Sequence, residues 1–443
     1  MKHVTKRLIA IMLFLVLVTG LFAGCAPKQD SGEDQSQETG ENDTSEESEE
    51  PDRIEGFEDY ITGIGDLTLP EGTRIVALGE ATHGNREFQQ SKREVFAVLV
   101  EKYDIRALVI EGDFGGCSLI NDYIQGGDGD PRELTPFLGY QLYRTEDMLD
   151  LIEWMREYNR SADGSDRVRL YGMDVQRSDL NVRFLKEFYE KVDSDKAEEV
   201  SETLDELFGT EPHSYKADRT DEILEYTDFL MADIDDHADT YAERTDADEV
   251  FRARLAAQSL SYFINLLEKE NYSNKYRDGA MKAIVDEVLA YEEAEHGSEL
   301  MLACHNGHMT KNQSSMATFL GKDLHDELGD KYFAIGTDFY ITDCNLPVDD
   351  GRTVVRFCSD DPLAYNMQFT GLDKGLLDFS KVDAESALYP YITKAIPTGS
   401  LGEGYTPGME DNKRAYQMNF APADMYDAMI LYYETTPTEV WAD

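Results

Sequence analysis

Positive charge is what this chain has least of. Lysines and arginines number 41 against 90 aspartates and glutamates, a formal net charge of −49 over 443 residues. A surface this acidic repels phosphate backbones, so nucleic-acid binding is excluded as a default reading. Cysteine is scarce as well. Apart from Cys25 there are only Cys117, Cys304, Cys344 and Cys358, and their spacing fits no paired Cys-x-x-Cys zinc pattern. Cys344 and Cys358 are spaced to flank a hairpin, where a disulfide is permitted, and Cys304 reads as a small buried strand residue. The common hydrolytic signatures are also missing. Gly399-Ser400-Leu401-Gly402 has the wrong spacing for a Gly-x-Ser-x-Gly elbow. No His-Glu-x-x-His helix and no glycine-rich phosphate loop with a Lys-Ser/Thr pair is present. Hydrolytic chemistry in this chain would fall to an activated water rather than to a serine.

The amino-terminal residues have the pattern expected of a targeting signal. Lys2, Lys6 and Arg7 precede an apolar stretch, Leu8–Val18, that is too short to span a bilayer comfortably. Leu21-Phe22-Ala23-Gly24-Cys25 resembles a bacterial lipobox, with Phe22 where leucine is usual. Residues 1–24 are therefore expected to be a lipoprotein signal peptide, and Cys25 the lipidated mature terminus. An ordinary secretory signal and an uncleaved anchor are the alternatives, and all three put the rest of the chain on the extracytoplasmic side of a membrane. Residues 25–56 are almost free of apolar side chains, too polar to offset ordering entropy, and are expected to form a disordered acidic tether. The whole chain is 41% hydrophobic and 11% aromatic, which leaves enough apolar mass in the remainder for a full core.

From residue 57 to 443 the pattern is that of an α/β domain with a mostly parallel central sheet flanked by helices. Short apolar runs, as buried parallel strands require, each end in polar residues fit for chemistry. Ile75–Leu78 runs into Gly79-Glu80 and then His83, Ala107–Ile110 into Glu111, and Val168–Tyr171 into Gly172-Met173-Asp174. Leu300–Cys304 runs into His305-Asn306-Gly307-His308, and Tyr332–Ile335 into Gly336-Thr337-Asp338. Carboxyl ends of parallel strands are where open α/β sheets place their ligands, so these residues are expected to share one cleft. Further strands are expected at Thr353–Phe357 and Ala428–Tyr433. Between 178 and 295 strand signals vanish, and helix-length segments such as Asp221–Ile234, Val250–Leu267 and Asp278–Ala294 read as an inserted helical cap. The acidic residues of that insertion, among them Asp233, Asp235, Asp236 and Glu249, read as a solvated face.

The ordered set Gly79-Glu80-Ala81-Thr82-His83-Gly84 with Arg86-Glu87-Phe88, Glu111, Gly172-x-Asp174, Arg277-Asp278-x-x-Met281, His305-Asn306-Gly307-His308 and Tyr426-Asp427-Ala428 resembles the erythromycin esterase family, over nearly all of Phe57 to Tyr433. The resemblance implies a metal-independent esterase that opens macrolide lactones. His83 would be the general base that deprotonates water, and Glu80 and Glu111 would hold the imidazole and the water. His305 and His308 would sit opposite, orienting substrate or stabilising the oxyanion. Lys92, Asp174 and Arg86 would contact the substrate, a small-molecule ester or lactone. The base role agrees with chemistry, since an imidazole beside carboxylates is suited to activating water. The family's usual Trp-Ala before His-Asn is Ala303-Cys304 here, and Lys282-Ala283-Ile284 also departs from it, so the wall that meets the substrate differs. The same imidazoles and carboxylates suit zinc or iron. A metal-dependent hydrolase, or a surface-tethered lipoprotein binding haem or a metal without turnover, is the alternative reading.

Overall fold

Among the described residues, eleven strands form where β-branched and other apolar residues run between polar breaks: β1 (Ile61–Thr62), β2 (Ile75–Glu80), β3 (Ala107–Asp113), β4 (Arg169–Asp174), β5 (Leu300–His305), β6 (Tyr332–Val348), β7 (Gly351–Cys358), β8 (Lys374–Asp378), β9 (Ile396–Gly399), β10 (Gln417–Phe420) and β11 (Ala428–Thr435). The computed structural model describes residues 50–268, 274–313, 319–349 and 351–442. The expected signal peptide, Cys25 and nearly all of the expected tether lie outside the described residues. The compact unit begins at Arg53, slightly before the expected start, because Ile54 is buried in the core and its N–H donates to Asn366.

The main sheet has the order β1-β8-β11-β6-β2-β5-β3-β4, with β7 paired to β6. Every pairing from β11 across to β4 is parallel, whereas β1, β7 and β8 join antiparallel. The chain leaves β2 for β3 and β4, then returns to lay β5 between β2 and β3 and β6 on the other side of β2. That reversal opens a crevice at the carboxyl ends of β2 and β5, where the polar strand ends collect. β9 and β10 form a separate antiparallel pair.

Alternation along the strands feeds two cores, one on each face of the sheet. Val76, Leu78, Leu108 and Ile110 pack against α1 (Arg86–Tyr103), α2 (Phe114–Ile124) and α3 (Glu146–Asn159), through Phe96, Leu99, Ile120 and Leu151. Ile75, Ala77, Val109 and Leu302 face the other way. They share a core with α4 (Asp179–Val192), α5 (Ser194–Leu207), α6 (Thr220–Asp236), α7 (Ala247–Glu268) and α8 (Asn274–Tyr291). The helical stretch expected between 178 and 295 thus packs as a layer on one face of the sheet, and its last helix carries Arg277 and Asp278 to the strand ends. Two of its acids are not on a solvated face. Asp233 is buried between helices against Lys196, Tyr189 and Tyr241, and Glu249 is buried against Lys191. Cys344 and Cys358 do flank a hairpin, but Cys344 stands opposite Val355 and Cys358 opposite Ile341. Out of register, both are free thiols. No helix among the described residues is long and apolar enough to cross a membrane.

Candidate active site

The loop after β2 is held from every side before any chemistry is considered. Ala81 N–H donates to Thr337 Oγ1 at 2.9 Å, and the Gly84 carbonyl accepts from Asn345 N at 3.1 Å and Thr438 N at 2.9 Å. Asn85 donates through Nδ2 to the carbonyls of Asp343 and Thr436. Gly79 is required by close approach, since a Cβ there would overlap the Asn306 side-chain amide. A loop so tied presents its side chains with little freedom, as a pre-formed site requires.

Glu80, the last residue of β2, is buried between an imidazole and an ammonium. Its Oε1 lies 2.7 Å from His83 Nδ1, and its Oε2 accepts from the buried Lys92 ammonium of α1. Burial opposes charge on this carboxyl, but Lys92 and His83 outweigh it and hold the pKa at about 2. An ionised carboxylate only accepts, so His83 Nδ1 is the donor, and in the neutral ring Nε2 keeps its lone pair. Burial alone would lower the His83 pKa. The hydrogen bond and charge of Glu80, with added charge from Glu111 and Glu403, instead raise it above the ordinary histidine value. His83 keeps 13% of its side chain exposed, enough to meet a water.

His305, at the end of β5, lies beside His83 with ring centroids 4.9 Å apart. Its Nδ1 accepts from Gly307 N at 3.1 Å. Burial first, and then the nearby His83 charge, push its pKa down to about 3, so the ring is neutral and its proton sits on Nε2. That Nε2 is buried with no hydrogen-bond partner among the described residues. Buried donors are rarely left unpaired, and one beside a candidate base is a group waiting for an acceptor.

Glu111, from β3, ties the next part together. Its Oε2 accepts from the His305 backbone N–H at 2.9 Å and its Oε1 from Arg277 Nη2 at 2.8 Å. Burial opposes its charge too, yet its neighbours His308, Arg277 and His83, in that order, with the His305 N–H after them, hold its carboxyl well below the usual carboxylate range. Arg277 also grips Asp174 through Nε at 2.9 Å and Nη2 at 2.7 Å. His308 places Nδ1 2.9 Å from Asp278 Oδ1, and Nε2 3.2 Å from Arg277 Nη1 and 3.4 Å from Glu111 Oε1.

The structure therefore brings His83, Glu80, Glu111, His305 and His308 together and separates their roles. His308 has both ring nitrogens against protein groups, so it is not offered to a substrate. Lys92, only 2% exposed, and Asp174, fully buried, are also corrected from substrate contacts to partners of Glu80 and Arg277. Arg86 points elsewhere, half exposed and 3.3 Å from Asp147. Arg277 and Asp278, quoted in the sequence only as part of the family motif and given no role there, also reach the cluster. Arg277 sits 166 positions from Glu111, on a helix of the insertion, and only its place in a recurring motif could have marked it. Among the described residues no group of three His, Cys, Asp or Glu side chains is disposed to hold a metal ion. The donor set does not fit one, because Lys92 already answers Glu80, and Arg277 answers Glu111 and Asp174. A cavity of about 480 Å³ lies at the opposite ends of the strands, lined by Thr68, Lys311, Asp378, Tyr426 and Asp427 among others, and takes no part in this cluster.

Comparison with known proteins gives the family and the fold. A model of the erythromycin esterase family matches residues 100–435. Erythromycin esterase type II of Escherichia coli is 24% identical over 315 residues, covering 65% of this chain and 73% of that protein. The putative hydrolase YbfO of Bacillus subtilis is 29% identical over 135 residues, 30% of this chain and 29% of that protein. Among solved structures, a Bacillus cereus protein superposes with a TM-score of 0.70 at 21% identity, over 87% of this chain and 98% of its own. The erythromycin esterase EreC, in its open conformation, gives 0.53 at 17% identity, over 82% of this chain and 91% of its own. These two likenesses are likenesses of fold.

Proposed function

We propose, from the premise that the chain belongs to the erythromycin esterase family, that it hydrolyses an ester or lactone with water activated by His83. The observation that carries the reading is the complementary pair of imidazoles. His83 offers a lone pair on Nε2 because Glu80 takes its Nδ1–H, and 4.9 Å away His305 offers a buried, unpartnered Nε2–H. His83 takes a proton from water as the oxygen attacks the carbonyl carbon. The carbonyl oxygen, becoming an oxyanion, accepts from His305 Nε2–H. When the carbon–oxygen bond breaks, the imidazolium returns its proton to the leaving alkoxide, giving an acid and an alcohol. Glu80, ionised and aimed at Nδ1, favours the imidazolium formed midway.

A positioned base of this kind contributes roughly 10²–10⁴-fold, and a pre-oriented donor to the oxyanion acts in a dry site where it needs no reorganisation. The relatives' names support a macrolide lactone as the substrate to try first. We also propose that Cys25 is the lipid anchor, so that the domain acts on the extracytoplasmic face, where a drug arrives before crossing the membrane.

The test is turnover. The chain is incubated with erythromycin and with a panel of simple esters, and products are read by mass for one added water. Hydrolysis that His83→Ala reduces by roughly 10² or more, with an unchanged thermal midpoint, supports the reading. Full activity in that variant, or a stoichiometric complex without product, overturns it.

A further inference from the structure

His308 and Arg277 have no step in the reaction just described, yet both are buried beside it. We infer that Arg277 and Asp278, consecutive residues of α8, lock His308 as its Nδ1–H tautomer, so that His308 braces Arg277 and Arg277 acts as the positioning residue for the His305 end of the site. The inference rests on the esterase reading only for its effect on turnover.

The proton inventory leads to this assignment. A guanidinium has donors and no acceptor. Its Nη1, 3.2 Å from His308 Nε2, makes a hydrogen bond only if that nitrogen presents a lone pair. A protonated Nε2 would set donor against donor. The proton then belongs on Nδ1, which lies 2.9 Å from Asp278 Oδ1. The other oxygen of Asp278 accepts from Leu320 N at 3.2 Å, which fixes the carboxylate from the far side. Glu111 Oε1 stands farther from Nε2, at 3.4 Å, and already accepts from Arg277 Nη2 at 2.8 Å.

From the ring, order passes along a short chain of contacts. His308 meets one edge of the Arg277 fork, and Asp174 takes two of its donors at 2.9 and 2.7 Å. The planar group so held presents Nη2 to Glu111, whose second oxygen accepts the His305 backbone N–H at 2.9 Å. The strand end that aims His305 Nε2–H is therefore set by a residue from the helical insertion. A lysine has the charge but not the flat fork, so it would not hold Asp174, Glu111 and His308 at once.

Imidazole ¹⁵N spectra of the full chain at neutral pH test the lock. The chain has eight histidines, and His308 is identified by the signal lost in His308→Asn. The expected pattern is a protonated Nδ1 and a bare Nε2. An Nε2–H tautomer or a doubly protonated ring overturns the inference. Arg277→Lys should move the His308 Nε2 signal and lower kcat by roughly 10²-fold with little change in KM, the mark of a misplaced group rather than lost binding. An unmoved spectrum with unchanged kcat overturns the positioning role. Should that variant fail to fold, Asp278→Ala serves: without its acceptor His308 should show mixed tautomers, and a wild-type spectrum overturns the lock. If no ester is turned over at all, the esterase reading fails while the spectra still decide this one.

Discussion

Replacing Glu80 by glutamine removes one negative charge and almost no volume, and three effects follow from where that charge sits. The folded Glu80 has a pKa of about 2 against 4.5 when free, with burial opposing the charge and Lys92 and His83 prevailing. At about 1.4 kcal/mol per pH unit, the fold favours the ionised form by about 3 kcal/mol. Glu80→Gln leaves the Lys92 ammonium buried without the carboxylate that answers it. Removing one partner of a buried pair costs about 3–5 kcal/mol, so urea unfolding at pH 7 should show the variant less stable by about 3 kcal/mol. The sign of the pH dependence follows from a depressed carboxyl. Its contribution is present in full above 4.5 and is lost as pH falls towards 2, so the gap between wild type and variant should shrink over that window. His83 responds in the opposite sense. Its pKa is raised by Glu80, so the rising limb of kcat/KM against pH, centred above 6.5 in the wild type, should move to lower pH in the variant. Equal stability at pH 7, or a limb that does not move, would refute the argument that Glu80 is ionised and shared between Lys92 and His83.

Two other changes probe different parts of the framework. Gly79→Ala should destabilise by about 1–3 kcal/mol, measured by urea midpoint, because the new methyl meets an Asn306 amide that is itself fixed by Thr337 at both ends; a neutral result would mean that Asn306 is free to move. Asp338 and Asp361 are neighbouring buried carboxyls, and burial pushes Asp361 up to about 6 and Asp338 well above the usual range. Stability held by such raised groups is complete below 3.8 and lost as pH rises through 6, so Asp361→Asn, which cannot ionise, should gain on the wild type between pH 5 and pH 8. The same difference at both pH values would count against a shared proton.

Much of the fold is legible in the sequence because buried parallel strands leave a strong mark. The runs at 75–78, 107–110 and 300–304 had only to be apolar and end in polar residues, and they became β2, β3 and β5 in the centre of the sheet. The helices α6, α7 and α8 appear within a few residues of their expected spans for the same reason, a sustained apolar stripe. β1 and β8 were silent, the first with two residues and the second a short edge-side strand joined antiparallel. Burial of single charges was silent too. Asp233 and Glu249 look like surface residues in a chain this acidic, and only the packing of helices against them reveals that each carboxylate is buried and answered by a lysine.

The tetrapeptide His305-Asn306-Gly307-His308 marks where sequence reasoning stops. It supplies two imidazoles three residues apart and nothing to tell them apart. Backbone geometry does so. His305 closes β5 and caps one helical turn, Asn306–Met309, so Gly307 N–H occupies its Nδ1 and leaves the proton on Nε2. Asn306 reaches over Gly79 of β2 and pins the turn to Thr337 of β6. His308 then falls under α8, where Asp278 and Arg277 take both of its nitrogens. One ring is left with an unpaired donor next to His83 and the other with none. The difference comes entirely from what each meets: a peptide N–H in one case, a carboxylate and a guanidinium in the other. Residue type names the chemistry available to a position, and the partners already bound decide which of it can still be used on a substrate.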